Sequence, residues 1–486
     1  MVKWVQVGLM GAVLSGLGGV WAVAAEEGMA AVADGEGGVV QRLSLADAIE
    51  RGLAHNRDLV RGALELTGDV VGREQAREVV RHLVIAPEGG AGHGSSGDEF
   101  EAGVRGEVTG GWGTRVAAGA GVRQLPVVRG ADVRRDEVRV EISQPLFRQF
   151  GPLVRNEPVV AANEAWLAAR RAWERDRSGL ALRVVEQYEG LIFLAHQIER
   201  DVAFAGRMER LAALTAARER QGRAARTEAL RVELQRGEAE ARLAAGRAQL
   251  GIQYQAFADL LGLPLESRFE LVAPDLLALD EADASRAVAV ALACRPDYAQ
   301  ALQDIETADR QLRIARRQLL PDLRLTARHT SYGEGEEWRE AGRLDESDWF
   351  VGLMGELNLN VREARLGVRR AAIDAEARRQ VAEIVRNRLA LEVNAGWAQY
   401  RQARTQLDLA ARNAGLAANR AELARSLFEA GRASADSVSD AEMDRVNAEL
   451  SELAARREAS VAAYRLLHGL GTLVPAPPEI LAQEER

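Results

Sequence analysis

Leu180-Ala181-Leu182-Arg183-Val184 is written a second time as Leu389-Ala390-Leu391-Glu392-Val393, and this repetition decides how the rest of the chain is read. The same spacing of 209 residues carries Gly222-Arg223-Ala224 onto Gly431-Arg432-Ala433 and Leu261-Gly262 onto Leu470-Gly471. A register that holds from 180 to 262 is a duplication, not a coincidence. Upstream, Ala48-Ile49-Glu50-Arg51-Gly52-Leu53-Ala54 reappears as Ala287-Val288-Ala289-Val290-Ala291-Leu292-Ala293, and Asp58 falls on Asp297, now at a spacing of 239. The spacings differ by 30, so the first copy carries about that many extra residues between 59 and 180. Length alone suggests roughly three domains. Two copies of one long unit argue instead for a single pseudo-symmetric body. The expected divisions are a signal peptide at 1–25, a first repeat at 26–279, a second repeat at 280–472 and a C-terminal tail at 473–486.

Each copy opens with an amphipathic helix, near 44–80 and 283–318. Ser44 is the expected N-cap, with Asp47 three residues on, close to a capping box. Pro321 stops the second-copy helix. Alternation with a period of two then begins: Leu323, Leu325 and Ala327 interleave with Arg324, Thr326 and Arg328. A polar stretch at 333–348 separates this strand from another at 350–359. The first copy holds three alternating stretches, 100–109, 115–123 and 137–146, where the second holds two, and its extra residues fit that surplus. Which of the three would span a membrane stays open from sequence alone.

Very long helices follow, near 155–218 and 362–430. Val184, Tyr188, Leu191, Ala195 and Ile198 step by four and three, as do Leu389, Val393, Trp397 and Tyr400, which is a heptad seam. Some 60 helical residues span roughly 90 Å at 1.5 Å per residue. A Gly-Arg-Ala tripeptide breaks each helix, and a second helix returns over 226–262 and 435–470 to end in Leu-Gly. The unit is therefore helix, strand–loop–strand, long helix, tight turn, long helix. One hairpin per copy gives four strands, too few to close a barrel, so closure requires several chains.

Lys3, the apolar run 5–20 and Ala22-Val23-Ala24-Ala25 read as a secretory signal peptide. No Cys stands near the expected cleavage site, so the common bacterial lipid anchor is not expected. The single cysteine, Cys294, has no partner for an intramolecular disulfide and takes the slot of His55 in the first copy. The net charge of −9 is spread along the chain without a basic block, which argues against nucleic-acid binding. After the signal peptide no run of 18 apolar residues occurs, so membrane entry would require a closed β-barrel. The six histidines show no metal-ligand spacing. Gly110-Gly111-Trp112-Gly113 lacks the Lys-Ser/Thr of a phosphate loop. No nucleophile–base or metal cluster points to an enzyme, and no cofactor is expected. Trp112, Trp338, Trp349 and Phe350 lie near strand ends, as an interfacial girdle or as loop packing.

With these elements in order, the chain resembles the TolC family of outer-membrane efflux and secretion channels. The opening motif lies in Leu43-Ser44-Leu45-Ala46-Asp47-Ala48-Ile49 with Asn56-Arg57-Asp58-Leu59. Arg295-Pro296-Asp297 and Leu320-Pro321-Asp322-Leu323 are similar to its second-repeat counterparts. Ser143-Gln144-Pro145-Leu146-Phe147 with Phe150-Gly151 resembles the end of the first hairpin, and Phe428-Glu429-Ala430-Gly431-Arg432-Ala433-Ser434 the periplasmic turn. The resemblance implies a fold that is mainly α with membrane β. Duplicated helical hairpins would form a periplasmic α-barrel, and four strands per chain would join a homotrimeric twelve-strand barrel. It implies a passive channel in a tripartite efflux or type I secretion system of a Gram-negative outer membrane. Its partners would be a periplasmic adaptor, an inner-membrane pump and outer-membrane lipid.

The resemblance also places functional residues. Gly222, Arg223, Gly431 and Arg432 would form the adaptor-docking turns. Acidic residues six and nine positions after the turn glycine can ring the pore entrance in the family; here the second is Asp440, whereas the first is Ser437, with Asp436 one residue early. The first-copy slots are Glu228 and Arg231, and Arg231 would pair with a carboxylate to hold the entrance shut. The bland reading of these four is solvated helix charge. The alternative for the whole chain is a periplasmic coiled-coil scaffold or adaptor without a pore, which would need no lipid-length strands in both copies.

Overall fold

The computed structural model describes residues 31–32, 40–80, 83–94, 97–128, 131–222, 224–279, 284–356 and 361–474. The expected signal peptide, Arg223 and residues 475–486 of the expected tail lie outside the described residues. In chain order the elements are β1 (Ala31–Val32), β2 (Val40–Leu43), α1 (Leu45–His55), α2 (Arg57–Val80), β3 (Leu83–Gly94), β4 (Gly97–Thr109), β5 (Arg115–Val128) and β6 (Ala131–Pro145). There follow α3 (Glu157–Arg220), α4 (Arg226–Leu260), β7 (Phe269–Leu271), α5 (Ala284–Cys294), α6 (Pro296–Arg317), β8 (Asp322–Gly335), β9 (Glu346–Glu356), α7 (Val361–Glu429) and α8 (Ala435–Leu470). One-turn helices sit at Pro152–Arg155 and Trp338–Ala341. They divide between two compact units, one of residues 1–60, 176–288 and 392–486, the other of 61–175 and 289–391.

The opening helix of each copy, expected to be continuous, is two helices. In the first copy the break is Asn56, whose Oδ1 accepts from the N–H groups of Asp58 and Leu59, both at 3.1 Å, and so starts α2. Its Nδ2 donates to the Leu260 carbonyl at 2.9 Å. In the second copy Pro296 opens α6: its ring bars Arg295 from helical geometry, and its missing N–H costs nothing at a helix start. The capping box at Ser44 and Asp47 is complete in both directions.

In the first unit the heptad seams are the core. Val184, Tyr188, Leu191, Val393, Trp397 and Tyr400 are buried there, and Leu389 is buried in the second unit. Two tyrosines tether the segment between β7 and α5. The Tyr188 hydroxyl lies 2.7 Å from the carbonyl oxygens of Leu43 and Val272 and accepts from the Val272 N–H at 3.0 Å. Burial pushes its pKa up to about 12, so it stays a neutral donor. The Tyr400 hydroxyl accepts from the Leu279 N–H at 3.0 Å. β1, β2 and β7 form a small sheet in which β2 and β7 run parallel.

The second unit holds a six-stranded sheet, ordered β3-β4-β5-β6-β8-β9, antiparallel throughout. The sheet holds six strands where the alternation marks five. The unforeseen one, β3, reads Leu83-Val84-Ile85-Ala86-Pro87-Glu88-Gly89-Gly90-Ala91-Gly92-His93-Gly94. Its proline and glycines blur the alternation, and both are tolerated because β3 is an edge of the sheet within the chain. Beside the sheet, Arg310 of α6 is buried between two carboxylates of α3. It donates to Glu157 at 2.8 Å and reaches Glu164 through both terminal nitrogens. Gln303 and Thr307 also donate to Glu164, each at 3.1 Å. Burial alone would raise the Glu164 pKa, but the Arg310 hydrogen bonds and charge outweigh it, and the carboxyl sits below its ordinary value.

Candidate functional site

The glycines that open the two turns are alike. Gly222 has φ +71° and Gly431 φ +72°, the left-handed conformation that lets a helix stop and reverse. The Gly222 N–H donates to Glu219 at 2.8 Å, the Gly431 N–H to Phe428 at 2.9 Å, and the Arg432 N–H to Leu427 at 2.8 Å. Apart from its chain neighbours, no atom of the described residues lies within 4 Å of where a Cβ would stand at either glycine, so conformation and not space demands glycine there. Arg432 is exposed. Arg218 braces the second turn from the first copy, donating to the Phe428 carbonyl at 3.0 Å with its guanidinium 3.8 Å from the Phe428 ring centroid.

Beyond the turns the return helices α4 and α8 meet through polar side chains. Ser434 caps α8, accepting from Ser437 N–H at 3.3 Å. The next orphan N–H, that of Ala435, is taken by the Glu228 carboxylate at 2.6 Å. One helical turn further along α4, Arg231 pairs with Asp436 at 2.6 Å. Gln235 then meets Ser439. Residues 228, 231 and 235 thus form one stripe at helical spacing, facing 435, 436 and 439. The structure brings Glu228, Arg231 and Asp436 together, while Asp440 is exposed and makes no side-chain ion pair among the described residues.

Behind this stripe sits a pair that the sequence reading missed. Arg207 and Glu442 approach to 2.7 Å with side chains 15% and 5% exposed, close but not aligned for a hydrogen bond. The three-residue steps from Asp436 to Ser439 to Glu442 were the available signal. Phe204, Met208, Val232, Phe428, Val438 and Val446 pack around these groups. Farther from the turn, Asp201 is buried with neither oxygen hydrogen-bonded among the described residues, and burial raises its pKa. Glu189 is also raised by burial, although Ser460 donates to it.

The large sheet has two chemically distinct faces. Leu83, Val108, Val116, Ile142, Ala327 and Val351 are successive register partners, one per strand, on a single face. On the opposite face Glu101 pairs with Arg123 at 2.7 Å and Glu107 with Arg115 at 2.8 Å. The four aromatic candidates part company. Trp349 lies on the apolar face against His329, with centroids 4.9 Å apart, whereas Phe350 lies on the other face against Arg328. Trp112 packs on Phe150 at 5.6 Å in the β4–β5 turn, and Trp338 on Arg134 at 5.0 Å in the β8–β9 connection. Cys294 is exposed. Among the described residues no cluster of His, Cys, Asp or Glu is placed to hold a metal, and no helix is long and apolar enough to cross a membrane.

Residues 287–472 match the family model described as outer membrane efflux protein. No curated protein matches the chain. Among solved structures it is similar to the outer-membrane channel OprN, at 19% identity and TM-score 0.68 over 88% of this chain and 90% of that one. It is similar to the outer membrane protein VceC of Vibrio cholerae, at 17% identity and TM-score 0.68 over 88% and 96%. It is also similar to the CmeC outer membrane channel of Campylobacter jejuni, at 12% identity and TM-score 0.68 over 91% and 89%. The fold is that of the TolC-like outer-membrane channels, and the sequence match falls within the second repeat.

Proposed function

We propose that this chain, with an outer membrane efflux protein segment in its second repeat and a channel fold over nearly all its length, is one protomer of a homotrimeric efflux or type I secretion channel. The observation that carries the reading is the large sheet, whose apolar face is exposed on every strand and whose edges β3 and β9 have no partner among the described residues. Hydrocarbon tolerates neither a free strand edge nor an unpaired backbone group, so such a sheet is stable in a bilayer only when copies close it. The strands would sit in the outer membrane and the long helices would form the periplasmic conduit. The Gly222 and Gly431 turns would meet an adaptor fed by an inner-membrane pump.

Conduction is passive in this reading. The turn region offers carboxylates, guanidiniums and hydroxyls that clasp one another, an arrangement suited to holding or filtering rather than to bond chemistry. The test is expression in a Gram-negative host lacking its own channel, followed by fractionation, native mass measurement and planar-bilayer recording. Outer-membrane location, three chains and ion conductance are expected. A periplasmic monomer that never conducts would refute the reading and favour the scaffold.

A further inference from the structure

We propose that all six strands of the large sheet cross the bilayer, so that three chains close an eighteen-stranded barrel rather than a twelve-stranded one. This rests on the channel reading above. The strands hold 12, 13, 14, 15, 14 and 11 residues in sheet order, and each reaches the roughly 9–11 that a tilted strand needs to cross hydrocarbon.

The surplus hairpin, β4 and β5, is interior to the sheet. β4 is hydrogen-bonded to β3 and β5, and β5 to β4 and β6. If β3 and β6 span the membrane, β4 and β5 cannot be left outside it without stripping two ladders of their hydrogen bonds. Their chemistry agrees. On the apolar face β4 presents Phe100, Ala102, Val104, Gly106 and Val108, with no charge among them. Between residues 100 and 123 the charges of the hairpin lie on the other face, where Glu101 pairs with Arg123 and Glu107 with Arg115. That is the alternation of a strand with lipid on one side and water on the other.

The hairpin also spans the full height of the sheet. Its turn at Gly110–Gly113 lies at the end where β6 hands over to the helices: the Gly151 N–H donates to Trp112 at 3.2 Å. Closure is consistent in direction. With six alternating strands per chain, β9 of one copy runs antiparallel to β3 of the next. Barrel diameter grows roughly linearly with strand number, so eighteen strands give about 1.5 times the width of twelve. Such a barrel would admit correspondingly bulkier cargo.

The experiment uses nitroxide labels on single cysteines in the full chain, with Cys294→Ser as background, reconstituted in phospholipid vesicles. Accessibility to oxygen is compared with accessibility to a water-soluble nickel chelate, and native mass gives the number of chains. Val104→Cys and Ala120→Cys report on the surplus hairpin, Val140→Cys and Val351→Cys on β6 and β9, and Arg105→Cys on the polar face. The proposal expects Val104 and Ala120 labels to favour oxygen as strongly as Val140 and Val351 labels, with the Arg105 label reversed, in a three-chain complex. Nickel access at Val104 and Ala120 with oxygen preference at Val140 and Val351 would overturn eighteen strands and leave the channel standing. Two chains per complex would also overturn eighteen strands, since they make twelve, and would overturn the trimer of the channel reading with it. Nickel access at all four apolar-face sites would sink the channel reading with it.

Discussion

Replacing Arg231 with Ser should open the channel more often, and the size of the effect follows from exposure. Arg231 and Asp436 are 2.6 Å apart with side chains 63% and 36% exposed. A pair in such a setting is worth about 0–1 kcal/mol. One chain then shifts a closed–open equilibrium by at most about fivefold, and three chains acting in concert by at most about 150-fold, the range of an ordinary coupling free energy. The pair behind it behaves differently. Removing Arg207 would strand the Glu442 carboxylate in a buried site, at a cost of about 3–5 kcal/mol. That is a loss of fold rather than a release of a gate. A gate needs a contact weak enough to break in normal operation, and the gating role proposed for Arg231–Asp436 rests on that weakness.

The assay is open probability in planar bilayers for the parent, Arg231→Ser, Asp436→Asn and the double variant, each at low and high salt. Both single variants should raise open probability, the double should add little to either, and the difference from the parent should shrink as salt screens the pair. Unchanged gating in Arg231→Ser at low ionic strength would refute the reasoning. So would additive effects of the two single changes, since the residues would then not act through each other.

Gly431→Val and Gly222→Val should each cost roughly 1–2 kcal/mol locally, because a β-branched residue is forced into the left-handed region; export and adaptor crosslinking should fall while outer-membrane content holds. Asp440→Asn, alone and with Asp436→Asn, should lower cation preference in bilayer reversal potentials if these carboxylates face the pore. Arg310→Met should destabilise its unit by about 3–5 kcal/mol at neutral pH, read as loss of helical signal in urea, because two partly buried carboxylates lose the buried counterion between them. The Glu164 pKa is lowered in the fold, so the parent's stabilisation from this group is present above the ordinary glutamate value and fades as pH falls through the lowered one. Asp201 has the opposite sign: its pKa is raised by burial, so its neutral form suits the fold, and Asp201→Asn should raise the melting temperature at neutral pH with the gain vanishing in acid.

What the sequence revealed and what it hid divide along physical lines. The ends of α3, α7 and α8 were legible within two residues, because long periodic helices stopped by glycine carry strong local signals. The breaks at Asn56 and Pro296 are hidden in the sequence because both fall inside runs whose apolar period continues across them. The ion pair at Arg231 was anticipated as a type of contact, but not the carboxylate of Glu228 on the Ala435 N–H, since a side chain capping another helix leaves no mark in either segment. β3 was hidden by its own proline and glycines.

That strand gives meaning to the 30-residue surplus, which shows in the sequence only as a mismatch between two spacings. An insertion into an antiparallel membrane sheet cannot be one strand. A single added strand would reverse the chain and deliver α3 to the outer side of the bilayer. The insertion must be a pair with its turn, and β4 with β5 occupies Gly97 to Val128, close to the length that the spacings demand. In the channel reading, a duplicated chain with a third strand candidate in one copy implies a fourth by parity alone, because there the helices of both copies leave the sheet on the same side of the membrane.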